Sequence, residues 1–234
     1  MLDMSGGAVL ALWNGVETAR TREYNAWHTR EHVPERISIP GMIGARRYVK
    51  SSGPLPDYLT LYAMNDTTVL KSEAYRFLLE NPTDWSRAMR PSFRGFMRLC
   101  CLRLLTIGGG LGGSLAALVV DDAVDLRSPA LQQELEKLLK NEGLLAAHIL
   151  ERDRDVPDLP FQIGGESPAF PSAGAIFLES HDENELHRLL PAIRSGLARV
   201  GVSETEKTLT TYALAYALDR TSLERIITIG ASER

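Results

Sequence analysis

Gly108-Gly109-Gly110-Leu111-Gly112-Gly113 divides the 234-residue chain almost at its midpoint. Consecutive glycines offer no side chain to pack and lose much backbone entropy when fixed, so they suit a connector and not the interior of a helix or strand. What flanks them reads as one unit written twice. Before the run, apolar alternation predicts strands at 8–14, 42–50, 58–64 and 93–106, and helical spacing predicts helices at 17–32 and 67–80. After it, 114–121, 144–152, 173–180 and 205–219 read as strands, and 129–140 and 182–200 as helices. Both halves run βαββαβ, which divides the chain into a first repeat (1–107), a linker (108–113) and a second repeat (114–234).

Short local matches support the duplication. Gly41-Met42-Ile43-Gly44-Ala45 aligns with Gly143-Leu144-Leu145-Ala146-Ala147, and Asp66 with Leu70 aligns with Asp182 with Leu186. Each aspartate stands just before a helical stretch, where its carboxylate can cap free N–H groups. A βαββαβ unit folds into a four-stranded antiparallel sheet with both helices on one face, and its other face is apolar and uncovered. Two units in one chain can cover each other sheet to sheet, so the fold class is α+β with two ferredoxin-like repeats. The second repeat carries a longer Pro/Gly-rich segment, 153–172, and the chain ends in a strand-like Ile226-Ile227-Thr228-Ile229 that suggests an added edge strand.

Composition narrows the function classes. With 44% hydrophobic and 24% charged residues the chain has the profile of a soluble globular protein, and no apolar run reaches membrane-spanning length. The N-terminus lacks a basic start and apolar core, which points to a cytoplasmic location. Cys100 and Cys101 are adjacent in an apolar strand and are expected to be buried and reduced. The net charge of −4 conceals an asymmetry, +4 over residues 1–110 and −8 over the rest, which would help two halves or two copies to pair. The arginines are scattered and no nucleic-acid motif accompanies them, so neither nucleic acid nor membrane is an expected partner, whereas a small molecule is, and homo-oligomers are compatible with the pattern.

Most of the unusual side chains fall in Tyr24-Asn25-Ala26-Trp27-His28-Thr29-Arg30-Glu31-His32-Val33-Pro34. At 100° per residue, Tyr24, Trp27, His28 and Glu31 share one helical face with His32 at its margin. A core helix would place Leu, Ile and Ala there, so this face points to a polar pocket. Together with Pro40-Gly41-Met42 and Arg47-Tyr48, the order aromatic, Trp, His, Pro, Pro-Gly, Arg-Tyr resembles the EthD-like branch of the dimeric α/β-barrel superfamily. The resemblance implies ferredoxin-like units joined through their sheets in a barrel, here fused in one chain, with a pocket between the first helix and its own sheet. It also implies a small-molecule enzyme, among relatives that include cofactor-free monooxygenases, muconolactone-type isomerases and haem-dependent enzymes. The second repeat lacks the motif, so one pocket per chain is expected.

The leading reading is a cofactor-independent, oxygenase- or isomerase-like enzyme acting on an aromatic, quinone-like or lactone compound. His32 and His28 are its candidate proton-transfer groups and Glu31 the carboxylate that orients them. Tyr24, Trp27, Arg46, Tyr48 and Tyr62 are the candidate substrate-binding residues, and no cofactor or metal is expected. Plainer roles stand beside these: His32 fixing the helix end, His28 pairing with Glu31, Arg46 and Tyr48 at a solvent edge, His148 buried or on the surface. Two other functions compete, a non-catalytic binding or structural protein of the same fold, and a zinc hydrolase using His28-x-x-Glu31-His32.

Overall fold

A computed structural model describes residues 6–156, 159, 172–203 and 208–225. Its first repeat contains β1 (Ala8–Val16), a composite helix made of α1 (Thr21–Trp27), a π-helical turn (His28–His32) and α2 (Val33–Ile37), then β2 (Met42–Ser52) and β3 (Tyr58–Met64). A short 3-10 turn (Thr67–Lys71), α3 (Glu73–Glu80), α4 (Asp84–Met89) and the long β4 (Phe93–Gly108) complete it. The second repeat follows as β5 (Ser114–Val120), α5 (Pro129–Leu138), β6 (Leu144–Arg152), β7 (Gly174–Ser180), α6 (Glu183–Arg199) and β8 (Thr210–Asp219).

The eight strands close into an antiparallel barrel in the order β1-β3-β2-β8-β5-β7-β6-β4. Each repeat contributes a four-strand sheet of the same order, β4-β1-β3-β2 and β8-β5-β7-β6, and the seams are β2 with β8 and β4 with β6. The sheets therefore join edge to edge as well as face to face, which leaves no open strand edge. Residues 220–225 are helical, and Ile226-Ile227-Thr228-Ile229 lies outside the described residues, as does most of 153–172.

The repeats match in backbone detail. Gly41 and Gly143 both take a positive φ (+90° and +101°) at the turn into the second strand of their repeat, a conformation that costs a residue with a Cβ. Asn65 N–H donates to Gly41 O and His181 N–H to Gly143 O, while Gly7 N–H donates to Asn65 O and Gly113 N–H to His181 O. Asp66 and Asp182 cap as their positions suggest, accepting from Thr68 N–H and Glu185 N–H.

Strand alternation sorts the core into three spaces. Val9, Ala11, Trp13, Leu59, Leu61, Leu115, Ala117, Phe177 and Tyr212 fill the barrel interior. On the outside of the second sheet, α5 and α6 press leucines and isoleucines into a continuous aliphatic layer. On the outside of the first sheet, aliphatic packing gives way beneath the composite helix to Tyr24, Trp27, Tyr58, Met89 and Phe93. Cys100 faces this outer layer and Cys101 the interior, and both are buried thiols outside any disulfide.

Candidate functional site

The composite helix departs from α geometry at the predicted motif. Val33 N–H donates to His28 O, five residues back, where an α-helix would reach four. Pro34 supplies a reason: it has no N–H for Arg30 O, and its ring crowds that carbonyl, so the preceding turn widens. The wide turn carries His32 from the margin of the face onto it. Its imidazole stacks on the Trp27 indole five positions earlier, with centroids 4.4 Å apart and planes inclined by 30°.

Beneath the turn lies a hollow of about 70 Å³ that opens in part to solvent. Its floor is the outward face of the sheet, with Leu10, Leu12 and Asn14 from β1 and Thr60 and Tyr62 from β3. Tyr24, Trp27, His28, His32 and Arg36 descend from the composite helix, and Tyr75, Leu79, Ser86, Arg90, Phe93, Phe96 and Arg98 form the remaining wall together with Leu159.

Some of these groups are fixed by hydrogen bonds. Tyr24 OH donates to Asn14 Oδ1 (3.0 Å), and burial pushes its pKa up to about 12. The Trp27 indole N–H reaches Glu31 Oε1 and Ser86 Oγ, both at 3.1 Å. His28 Nε2 is 3.1 Å from Thr60 Oγ1. Others are buried without a partner: His28 Nδ1, His32 Nδ1, Tyr62 OH and Arg36 Nη1. Four such atoms around one hollow are unusual, because each costs about 1–3 kcal/mol when desolvated and unpaired. Burial, reinforced by Arg47, holds His28 well below the ordinary imidazole pKa. Burial also lowers His32, together with Arg36, His28 and Arg90. Both imidazoles are therefore neutral at pH 7 and keep a lone pair for a proton.

Tyr24, Trp27, His28, His32 and Tyr62 thus meet around the hollow, but Arg46 and Tyr48 do not. They alternate to the other side of β2, into the barrel interior, so neither the anionic-substrate role nor the solvent-edge position describes them. Arg46 Nη1 lies 2.5 Å from Glu179 Oε1 of β7, and the pair is almost fully buried. His148, buried on β6, donates from Nε2 to the same Oε1 (3.2 Å), and its Nδ1 is 3.0 Å from Thr106 Oγ1. Gly112 N–H donates to Glu179 Oε2 (2.8 Å). Burial alone would raise the Glu179 pKa, and the bonds from His148, Arg46 and Gly112 outweigh it and hold the carboxyl below its usual range.

Glu31 also differs from its expected role. Its Oε1 accepts from Thr83 Oγ1 (2.6 Å) and Ser86 Oγ (3.1 Å) as well as from Trp27, so it fastens the composite helix to α4 and does not orient an imidazole. That engagement also counts against His28-x-x-Glu31-His32 as a zinc motif, and among the described residues no three His, Cys, Asp or Glu side chains gather as a metal site. Residues that sequence reasoning passed over are Arg36, Arg90 and Arg98. Arg36 had a readable signal, one helical turn beyond His32, while Arg90 and Arg98 looked like scattered charges until β4 paired with β1 in the sheet beneath the helix.

No family model matches the sequence, and no curated protein matches it. Solved structures do. An anthrone oxidase-like protein aligns with a TM-score of 0.58 at 11% identity, over 91% of this chain and 92% of its own. A proposed monooxygenase from Fusobacterium nucleatum gives 0.53 at 12% identity, over 92% and 95%. A haem-binding protein from Thermus thermophilus gives 0.52 at 11% identity, over 97% and 96%. The chain has the dimeric α/β-barrel fold. Within this barrel His148 does not fit a haem axial ligand, because both ring nitrogens are already engaged and it faces the filled interior. The buried layer on the helix side of the second repeat is aliphatic. The polar hollow belongs to the first repeat.

Proposed function

We propose that this chain is a cofactor-independent small-molecule enzyme of the EthD-like branch, performing oxygenase- or isomerase-type acid–base chemistry on an aromatic, quinone-like or lactone compound. One observation carries the reading: four buried polar atoms without partners surround a single aromatic hollow in the repeat that bears the motif. A ligand that satisfies them would recover desolvation free energy that the empty hollow forfeits.

The chemistry follows from the imidazoles. In the tautomer whose Nε2–H donates to Thr60, His28, a lining residue of the hollow, keeps its Nδ1 lone pair unengaged. His32, stacked on Trp27, holds a second unpaired Nδ1 with its ring centroid 5.6 Å from that of His28. One imidazole removes a proton from a C–H or O–H acidified by an adjacent ring or carbonyl, leaving a delocalised anion. Return of that proton at another carbon completes an isomerisation, and attack of the anion on dioxygen begins an oxygenation.

The test is a thermal-shift screen of anthrone-like, naphthoquinone-like and lactone compounds, followed by turnover assays on the compounds that raise the melting point. His28→Ala and His32→Ala should each lower turnover by about 10²-fold or more. Turnover equal to wild type in both variants would remove the acid–base assignment.

A further inference from the structure

The hollow's charge goes further than its shape. Three guanidiniums, those of Arg36, Arg90 and Arg98, line it, and among the described residues no carboxylate does. Arg36 is 7% exposed, and its Nη1 has no hydrogen-bond partner. Among the described residues its nearest carboxylate is Glu35, whose Oε2 is 3.8 Å from that nitrogen, too far for a hydrogen bond. Glu35 is itself half-buried, and burial raises its pKa in spite of Arg36, so it is a weak counter-charge. Arg90 sits close enough to Arg36 that the two like charges oppose each other and, together with burial, lower the Arg90 pKa. A protein that gathers guanidiniums in a partly desolvated space bears a Coulombic cost that an anion relieves. The rest of the wall includes a cluster of rings: Tyr24, Trp27 and Phe93 are mutually within 6 Å, centroid to centroid, and inclined to one another.

We propose that the hollow binds an aromatic anion, a flat ring compound carrying a carboxylate or ionised phenol, with its ring against Trp27, Tyr24 and Phe93 and its charge toward Arg36 and Arg90. Guanidinium forks match a carboxylate in two-point geometry, and charge-assisted bonds in a part-buried setting exceed neutral ones about twofold. The aromatic wall selects the ring and the guanidiniums select the acid. Delivery of a negative charge beside His32 also offsets the arginines that depress its proton affinity, so the substrate would prepare its own base. This inference rests on the proposed ligand-binding role of the hollow and adds the ligand's charge to it.

Matched probes separate the two. 2-Naphthoate and 2-naphthamide share a ring and differ in charge, and each is titrated calorimetrically into the full chain at pH 7 and low salt. The acid should bind about tenfold tighter than the amide or better, as expected for one charge-assisted contact. Arg36→Gln and Arg90→Gln should each reduce that ratio toward one by weakening the acid's binding more than the amide's. Arg90 is only half-buried, so its variant decides if Arg36→Gln does not fold, with circular dichroism as the check. Equal affinity of acid and amide would overturn the anion inference and leave the hollow a ligand site. An acid preference that survives whichever arginine variants fold would overturn it too, by placing the charge elsewhere. No binding of either probe, with no compound in the neutral screen raising the melting point, would remove both readings.

Discussion

His28 and His32 occupy surroundings that penalise their protonated forms, and that penalty is a stability statement as well as a catalytic one. Each has a folded-state pKa below its unfolded value of 6.5, so between the two the unfolded chain binds more protons. Their contribution is complete above pH 6.5 and is lost as pH falls toward the folded pKa. The expected slope is about 1.4 kcal/mol per pH unit for each imidazole in that window. Urea melts from pH 7.5 to 5 should show stability falling on acidification, and His28→Gln and His32→Gln should flatten the curve. An unchanged slope in both would mean that the imidazoles are accessible and protonate freely. Glu31 invites a different residue-level test, because three donors converge on its Oε1. Glu31→Ala should cost about 2–3 kcal/mol by leaving them unsatisfied, while Glu31→Gln, which keeps an accepting oxygen, should cost less than about 1 kcal/mol and leave turnover near wild type. A Gln variant that is stable but inactive would restore Glu31 to the chemistry.

At the scale of the element, the π turn is the feature that assembles the site, and Pro34 is the residue that makes it favourable. Pro34→Ala returns an N–H able to bond Arg30 O and removes the ring that crowds it, so the helix gains a route back to α register. His32 would then rotate off Trp27, and the hollow would lose an imidazole without losing core packing. The expected result is a melting temperature at or slightly above wild type, with the ligand-induced shift reduced; a full ligand response would show that the turn is held by other contacts. This element also marks where sequence was legible. Which residues share the motif face could be read from helical spacing, because Tyr24 and Trp27 precede the wide turn and His28 is its first residue. The stacking of Trp27 on His32 could not, since a 3.6-residue period misplaces everything after an i→i−5 bond. In β2, alternation showed that Arg46 and Tyr48 share a face but not which one. Apolar neighbours lie on both sides of that strand, and only barrel closure makes one side an interior. The strands themselves were readable because their burial on two faces leaves mostly apolar runs, as in Tyr58–Met64 and residues 174–178.

At the scale of the whole molecule, the charge asymmetry between the halves has a structural outlet in the barrel interior, where Arg46 of the first repeat meets Glu179 of the second. The seams β2–β8 and β4–β6 tie the repeats by backbone bonds, and Thr106 of β4 continues the polar chain through His148 to Glu179. A buried pair of this kind adds little net stability against apolar replacements of similar size, because both ions have been desolvated, but removing one partner strands the other. Arg46→Ala and Glu179→Ala should therefore each cost about 3–5 kcal/mol. The double replacement Arg46→Met with Glu179→Leu should cost less than either, the residual loss coming from His148 and Gly112, which lose their acceptor. Guanidinium denaturation of the four proteins measures this, and because neither repeat can unfold without opening both seams, one transition should be seen in each. Additive losses in the double variant would mean that the two side chains do not feel each other across the interior, and a biphasic melt in the single variants would mean that the repeats can separate while each keeps its own sheet. The distinction bears on the hollow as well: β1 and β3 form its floor on one side and the barrel wall on the other, so a loosened interior should weaken ligand binding without any change in the residues that line the site.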